Sequence, residues 1–160
     1  MITIVISLIG LAISAFTALS QYRVAHRSLT ATVVWNYYAG DMIYMSVLVQ
    51  NPSSLPASIT SVALDNQKGN GKSYSWEHQV LGQGNKWVYS TSLPTSVLPF
   101  QATQVFLAIK LNKWSKNIYE LPVTLTIDST AQVLKQEVNL TDTEQSSDQL
   151  TKILSKQLSE

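Results

Sequence analysis

Leu29-Thr30-Ala31-Thr32-Val33-Val34-Trp35 and Met42-Ile43-Tyr44-Met45-Ser46-Val47-Leu48-Val49 are two alternating runs on either side of a Gly40-Asp41 turn signal. Successive side chains of a strand point to opposite faces. A period of two therefore places Leu29, Ala31, Val33 and Trp35 on one face of the first run, against Thr30, Thr32 and Val34. In the second run Ile43, Met45, Val47 and Val49 share a face. Two such runs joined through Gly-Asp read as a β-hairpin.

The pattern continues toward the C-terminus. Asn51-Pro52-Ser53-Ser54-Leu55-Pro56 interrupts it, because proline has no N–H for a ladder and marks a loop or an edge. Ile59 to Leu64 resumes the alternation, and Asn66 to Lys72, with two glycines, reads as a flexible turn. Tyr74 to Val80 and Trp87 to Leu93 flank Leu81-Gly82-Gln83-Gly84-Asn85 as a further hairpin, and Pro94 and Pro99 bracket a crossing segment. Gln104 to Leu111 is the most apolar strand, with Val105, Leu107, Ile109 and Leu111 opposed to Phe106 and Ala108. Val123 to Ile127 and Val133 to Val138 complete the set, with Asp128-Ser129 opening the turn between them. Eight short strands with polar turns predict a mainly β domain over residues 28–140, an antiparallel β-sandwich of immunoglobulin-like topology. The disulfide of antibody domains is excluded, because the chain has no cysteine.

Working outward to the N-terminus, the character changes. Met1 to Tyr22 carries no charged side chain, and Ile2, Ile4, Val5, Ile6, Leu8, Ile9, Leu11, Ile13, Phe16 and Leu19 make it apolar. About 20 helical residues at 1.5 Å each cover the roughly 30 Å hydrocarbon core of a bilayer. The stretch reads as a transmembrane helix, with Tyr22, Arg23, His26 and Arg27 at the membrane boundary and residues 1–27 as the anchor. A cleaved signal peptide, with Ala18-Leu19-Ser20 as its cleavage site, and a buried soluble helix are the rival readings, but no Lys or Arg precedes Arg23, and so apolar a buried helix would need a larger protein around it. The positive-inside rule applied to Arg23 and Arg27 favours a domain on the cytoplasmic side, with an extracytoplasmic domain as the alternative. Within the helix, Thr3, Ser7, Gly10, Ser14, Thr17 and Gln21 recur at alternating steps of four and three. That is the seam of a left-handed helix pair, and small residues are what membrane helices use to associate.

At the other end, Thr141 to Glu160 returns to a helical period. Leu150, Ile153, Leu154 and Leu158 form one stripe, and Glu144, Asp148, Lys152 and Lys156 step by four along another, acids first. Residues 141–160 are expected to be a short amphipathic helix capped by Thr141 or Thr143 and packed on the sandwich, or a frayed tail, with a docking helix for a partner or for the membrane surface as the alternative.

The composition excludes several function classes. The net charge is +1 and 13% of the 160 residues are charged, with no basic run for a nucleic-acid groove. Without the anchor about 115–135 residues remain, one ordinary domain. The two histidines, His26 and His78, have no ligand spacing, no carboxylate cluster suggests a hard-metal loop, and Gly82-Gln83-Gly84 lacks the strand-to-helix context of a phosphate loop. Neither a catalytic, a cofactor-binding nor a metal site is expected. Tyr74, Trp76, Trp87 and Tyr89 fall on the two arms of one hairpin. They are either core or an aromatic recognition patch, with core as the first expectation. Lys113-Trp114-Ser115-Lys116 reads as a solvated turn, with contact to lipid headgroups as its alternative. Asn139-Leu140-Thr141 matches a glycosylation acceptor only at the level of a three-residue pattern.

The uncharged helix, then Tyr22-Arg23-Val24-Ala25-His26-Arg27-Ser28-Leu29, then Gln50-Asn51-Pro52-Ser53-Ser54-Leu55-Pro56-Ala57-Ser58-Ile59, resembles small single-pass membrane-anchored proteins of Gram-positive bacteria and their phages. The resemblance covers roughly the first 65 residues and implies a bacterial or prophage setting, without catalytic residues to carry over. The expected function is a non-enzymatic, membrane-tethered interaction module with the lipid bilayer and a protein, or a second copy, as partners. The alternative is a structural subunit of a filament or virion with a helical stem and a β head.

Overall fold

The computed structural model describes the backbone of residues 2–83, 86–112 and 121–159, and the side chains of residues 9–80, 87–112, 121–153 and 155–156. The chain begins with a helix, α1 (Ile2–Ala25). The strands are β1 (Thr30–Ala39), β2 (Met42–Asn51), β3 (Ala57–Asn66), β4 (Gly69–Ser73), β5 (Gln79–Gln83), β6 (Lys86–Tyr89), β7 (Thr95–Val97), β8 (Gln101–Leu111), β9 (Val123–Ser129) and β10 (Val133–Val138). A 3-10 turn over Leu140–Thr143 precedes the last helix, α2 (Ser147–Ser159). Mainly β content with antiparallel pairing is as the alternation predicts. Among the described residues, no helix is long and apolar enough to cross a membrane.

One antiparallel sheet runs β1-β2-β8-β4-β3-β9-β10, with β7 beside β3, and curls into a half-barrel. Its concave face is the core. Ile43, Met45, Val47 and Val49 of β2 and Val105, Leu107, Ile109 and Leu111 of β8 are all buried there, on the faces that period two assigns them. Met42–Asn51 pairs with Gln101–Lys110 without a break, so the two most apolar strands form the spine of the sheet.

The curl closes through β4, a strand hidden inside the supposed flexible turn. Gly71 pairs with Leu64 of β3 on one side and with Leu111 of β8 on the other. A Cβ at Gly71 would sit 2.8 Å from Leu111 Cδ2, 2.9 Å from Ile109 Cγ2 and 2.9 Å from the Lys110 carbonyl oxygen. The glycine is there for close approach of two backbones, not for flexibility. The actual turn is Gln67-Lys68, where Asn66 Oδ1 accepts the N–H groups of Lys68 (2.9 Å) and Gly69 (3.0 Å). Likewise β7 lies within the supposed crossing segment between the prolines.

The first strand departs from simple alternation. A bulge between Val33 and Trp35 leaves Val34 exposed and shifts the pairing by one residue. Ala31 and Val33 face the concave core, whereas Trp35 and Tyr37 turn to the convex face. The single-face placement of Leu29, Ala31, Val33 and Trp35 is thus corrected, because period two does not register an inserted residue. The same bulge aims Asn36 inward. It is fully buried, and its Nδ2 donates to the Leu140 carbonyl (2.7 Å) and to Thr143 Oγ1 (2.7 Å), fastening the 3-10 turn over the open end of the curl.

A second, smaller layer covers part of the convex face. Trp35, Val88 of β6 and Leu150 of α2 are buried together, with Tyr37, Tyr44, Phe106 and Ile153 packed around them. The expected packing of the C-terminal helix on the β domain is therefore seen at Leu150 and Ile153; Leu154 and Leu158 have side chains outside the described residues. The helix starts later than its period implies. Ser146, not Thr141 or Thr143, is the cap: Gln149 N–H donates to Ser146 Oγ (3.3 Å), and Ser146 N–H donates to Gln149 Oε1 (2.9 Å).

Gly71→Ala is expected to destabilise the domain by about 1–3 kcal/mol, the cost of overpacking, although Gly→Ala in an unhindered strand is favourable or neutral. Urea unfolding of the full chain in detergent checks this. Gly40→Ala, at the exposed β1–β2 turn where φ is +65, serves as a comparison in which backbone strain acts without a clash.

Candidate functional site

Two regions have side chains that the fold itself does not use. The first is α1. From Ile9 onward its apolar side chains point outward on every side: Leu11 is 70% exposed, Phe16 75% and Leu19 60%. A helix that is apolar all round belongs in a protein interior or in lipid, and the β domain supplies no cover for this one. Its hydroxyls are already satisfied within the helix, Ser14 Oγ donating to the Gly10 carbonyl (2.9 Å) and Thr17 Oγ1 to the Ile13 carbonyl (2.8 Å). Of the association seam, Gly10, Ser14, Thr17 and Gln21 are exposed, and the side chains of Thr3 and Ser7 lie outside the described residues. A Cβ at Gly10 would meet nothing within 4 Å, so the seam is open to a neighbouring helix.

The helix joins the domain through a short, well-bonded junction. Tyr22 and His26 stack with ring centroids 4.0 Å apart, and His26 Nδ1 donates to the Tyr22 carbonyl at 2.9 Å. Arg23 and Arg27 are exposed beside them. Ser54 N–H then donates to the Val24 carbonyl (3.3 Å), so the β2–β3 loop occupies one of the carbonyls left open at the helix C-terminus.

That loop is held by a buried hub. Asn51 is 1% exposed. Its Nδ2 donates to the carbonyls of Leu55 (2.8 Å) and Val97 (3.1 Å), and its Oδ1 accepts from Ser53 N–H (3.1 Å) and Ser53 Oγ (2.7 Å). Phe100 N–H donates to the Ser53 carbonyl (3.3 Å), bringing the β7–β8 loop alongside. Phe100 is non-glycine at φ +56, a conformation that costs an ordinary residue about 1–2 kcal/mol. In the sequence Asn51 to Pro56 reads as a break in pairing; the Asn-Pro-Ser spacing is the signal that carries this loop.

The second region is the aromatic face, and here the core expectation is corrected. Trp76 is 62% exposed, Trp87 and Tyr89 are each 48% exposed, and Tyr74 is half-buried. The assumed cross-strand meeting of Tyr74 and Trp76 with Trp87 and Tyr89 does not form, because the pairing is different. In the β5–β6 ladder Gly82 opposes Trp87 and Gln79 opposes Tyr89, while Ser75 and His78 bond across to Leu93 and Ser90. Instead Trp76, Tyr74, His78 and Tyr44 form a row: Tyr74–Trp76 at 5.1 Å, Tyr74–His78 at 4.7 Å and nearly parallel, Tyr44–His78 at 6.4 Å. Trp87 and Tyr89 lie on the outward side of β6, with Val88 turned to the sheet. His78 and Tyr44 are the members sequence reasoning left out, since their partners come from strands distant in the chain. Rings stacked and half-open in this way offer flat apolar faces edged by hydroxyls and an imidazole, suited to contact with a partner's surface.

No group of three or more His, Asp or Glu side chains that could hold a metal occurs among the described residues. Gly84 of the glycine pair and Lys113-Trp114-Ser115-Lys116 lie outside the described residues. No family model matches the chain, and no curated protein matches it.

Burial, and then the negative charge of nearby Asp41, raise the Tyr44 phenol above its ordinary value of 10.0. The folded state thus holds this proton more tightly than the unfolded chain does. The contribution is fully present below pH 10 and is lost as pH rises through the higher folded value. Tyr44→Phe should flatten the alkaline decline in stability above pH 10 without changing stability's pH dependence between pH 6 and 9; unfolding midpoints measured from pH 6 to above pH 10 check it.

Proposed function

We propose that the chain is a non-enzymatic, single-pass membrane protein whose β domain, a variant of the immunoglobulin-like sandwich, presents a protein-interaction surface close to the bilayer. The observation that carries this reading is the exposed helix with apolar side chains on all sides. Its backbone runs from Ile2 to Ala25, about 36 Å at 1.5 Å per residue, and its sequence is uncharged through Tyr22. Internal bonding of Ser14 and Thr17 suits such a helix to hydrocarbon, where every polar group needs a partner. Arg23 and Arg27 favour a cytoplasmic domain. The exposed aromatic residues Trp76, Trp87 and Tyr89, with Tyr74, are the surface offered to a partner, and self-association through the helix seam is the companion role. The bacterial or prophage setting rests on the resemblance of the first 65 residues.

The same exposed helix favours one other reading, a filament or virion subunit whose helical stems pack against one another beneath β heads. Extraction of membranes separates the two. A single-pass anchor should resist carbonate, require detergent, and leave as a small oligomer, which Gly10→Leu with Ser14→Leu reduces to monomer. A filament would sediment intact after mild detergent. Release by carbonate alone contradicts the anchor.

A further inference from the structure

We infer that the end of the domain nearest α1 is itself a lipid-contacting surface, in which Leu55, Leu98 and Phe100 enter the headgroup layer and fix the attitude of the domain on the membrane. This rests on the membrane-anchor reading above and goes beyond it, since an anchor alone leaves the domain free to swing.

The sheet has two ends. The end toward α1 gathers the start of β1 and three turns, β2–β3, β7–β8 and β9–β10, as the pairings Asn51 with Gln101, Ala57 with Val97 and Ile59 with Ser129 require. Two of those turns hold large apolar side chains in the open: Leu55 is 53% exposed, Leu98 53% and Phe100 64%. The Phe100 N–H bond to the Ser53 carbonyl ties these turns together, and the Ser54 N–H bond to the Val24 carbonyl ties them to the helix. Only residues 26–29 separate α1 from β1, so no long linker lifts the domain away.

The helix sets the depth. Val24 lies two residues, about 3 Å of rise, past Tyr22, whereas the headgroup layer is about 5–8 Å thick on each side of the hydrocarbon. With Tyr22 at the boundary, a loop bonded to Val24 lies within that layer. The chemistry matches: exposed Leu and Phe at the end of the domain that receives the helix, with Arg23 and Arg27 to meet anionic phosphates. The carboxylate at this end, Asp128, is engaged by Ser61 Oγ at 2.5 Å. Phe100 adds a further argument. The turn would accept glycine at φ +56 without strain, and the core gains nothing from a ring that is mostly exposed. An aromatic side chain held outward there fits a surface that is apolar only in part.

The chain has no native cysteine, so single-site labelling is free of background. The full chain is reconstituted into phosphatidylethanolamine–phosphatidylglycerol vesicles with a nitroxide at Leu55→Cys, Leu98→Cys or Phe100→Cys, and at Phe16→Cys and Asp41→Cys as references. The ratio of accessibility to oxygen over a water-soluble nickel chelate is read at each site. The inference expects Phe16 deep in lipid, Asp41 in water, and sites 55, 98 and 100 with ratios several-fold above that of Asp41. Phe16 in lipid with the three loop sites matching Asp41 overturns the inference and leaves the anchor standing. Loop sites shielded from both reagents mean a protein, or a second copy, covers them, which also overturns it. Phe16 in water removes the anchor and the inference together.

Discussion

Gly71 is the point at which the sheet closes. The β1-β2-β8 half and the β3-β9-β10 half are joined through β4, and β4 fits between β3 and β8 only because residue 71 has no side chain. With the sheet continuous, the strongly apolar faces of β2, β8, β3 and β9 look inward at one another and form a single core. Closure also sorts the turns. It sends the β1–β2 and β3–β4 turns to one end and gathers the β2–β3, β7–β8 and β9–β10 turns at the other, where α1 enters.

Each end is then secured by a buried asparagine. At the far end Asn36 draws the 3-10 turn back onto the curl, and Leu140 behind it is fully buried. At the helix end Asn51 spends both of its polar atoms on the loop that bonds to α1. A buried amide without partners costs about 1–3 kcal/mol, so these two residues specify geometry more than they add stability. Their positions separate two tasks in space. From Asn51 to Tyr44 along β2 is about 23 Å at 3.3 Å per residue, which sets the aromatic row well away from the junction with the helix.

Much of the fold is legible in the sequence because its central strands obey period two. Ile43 to Val49 and Val105 to Leu111 each keep one apolar face wholly in the core and have no inserted residue, so alternation reads that face correctly, although Ser46 and Ala108 on the other face are buried as well. The pattern fails where geometry depends on contacts remote in sequence. The bulge at Val34 redirects Trp35, and nothing local announces it. Gly69-Asn70-Gly71 has turn composition, yet Gly71 answers to Leu111, forty residues on. The aromatic residues were visible as a group, but their pairing was not, because Tyr74 to His78 bonds outside the ladder that alternation assumed. The helix is the opposite case: its apolar character is legible at once, and what the structure adds is that the domain leaves it uncovered from Ile9 to Tyr22.

That uncovered helix is the centre of the account, and amide hydrogen exchange on the full chain in lipid nanodiscs tests it most directly. If lipid surrounds α1 as proposed, water is excluded from its backbone, and the amides of Ile9 to Tyr22 should exchange far more slowly than those of the Lys152–Lys156 stretch of α2, whose two lysines are exposed. Exchange in α1 as fast as in that segment of α2 would mean that the helix lies in water, and would contradict the account.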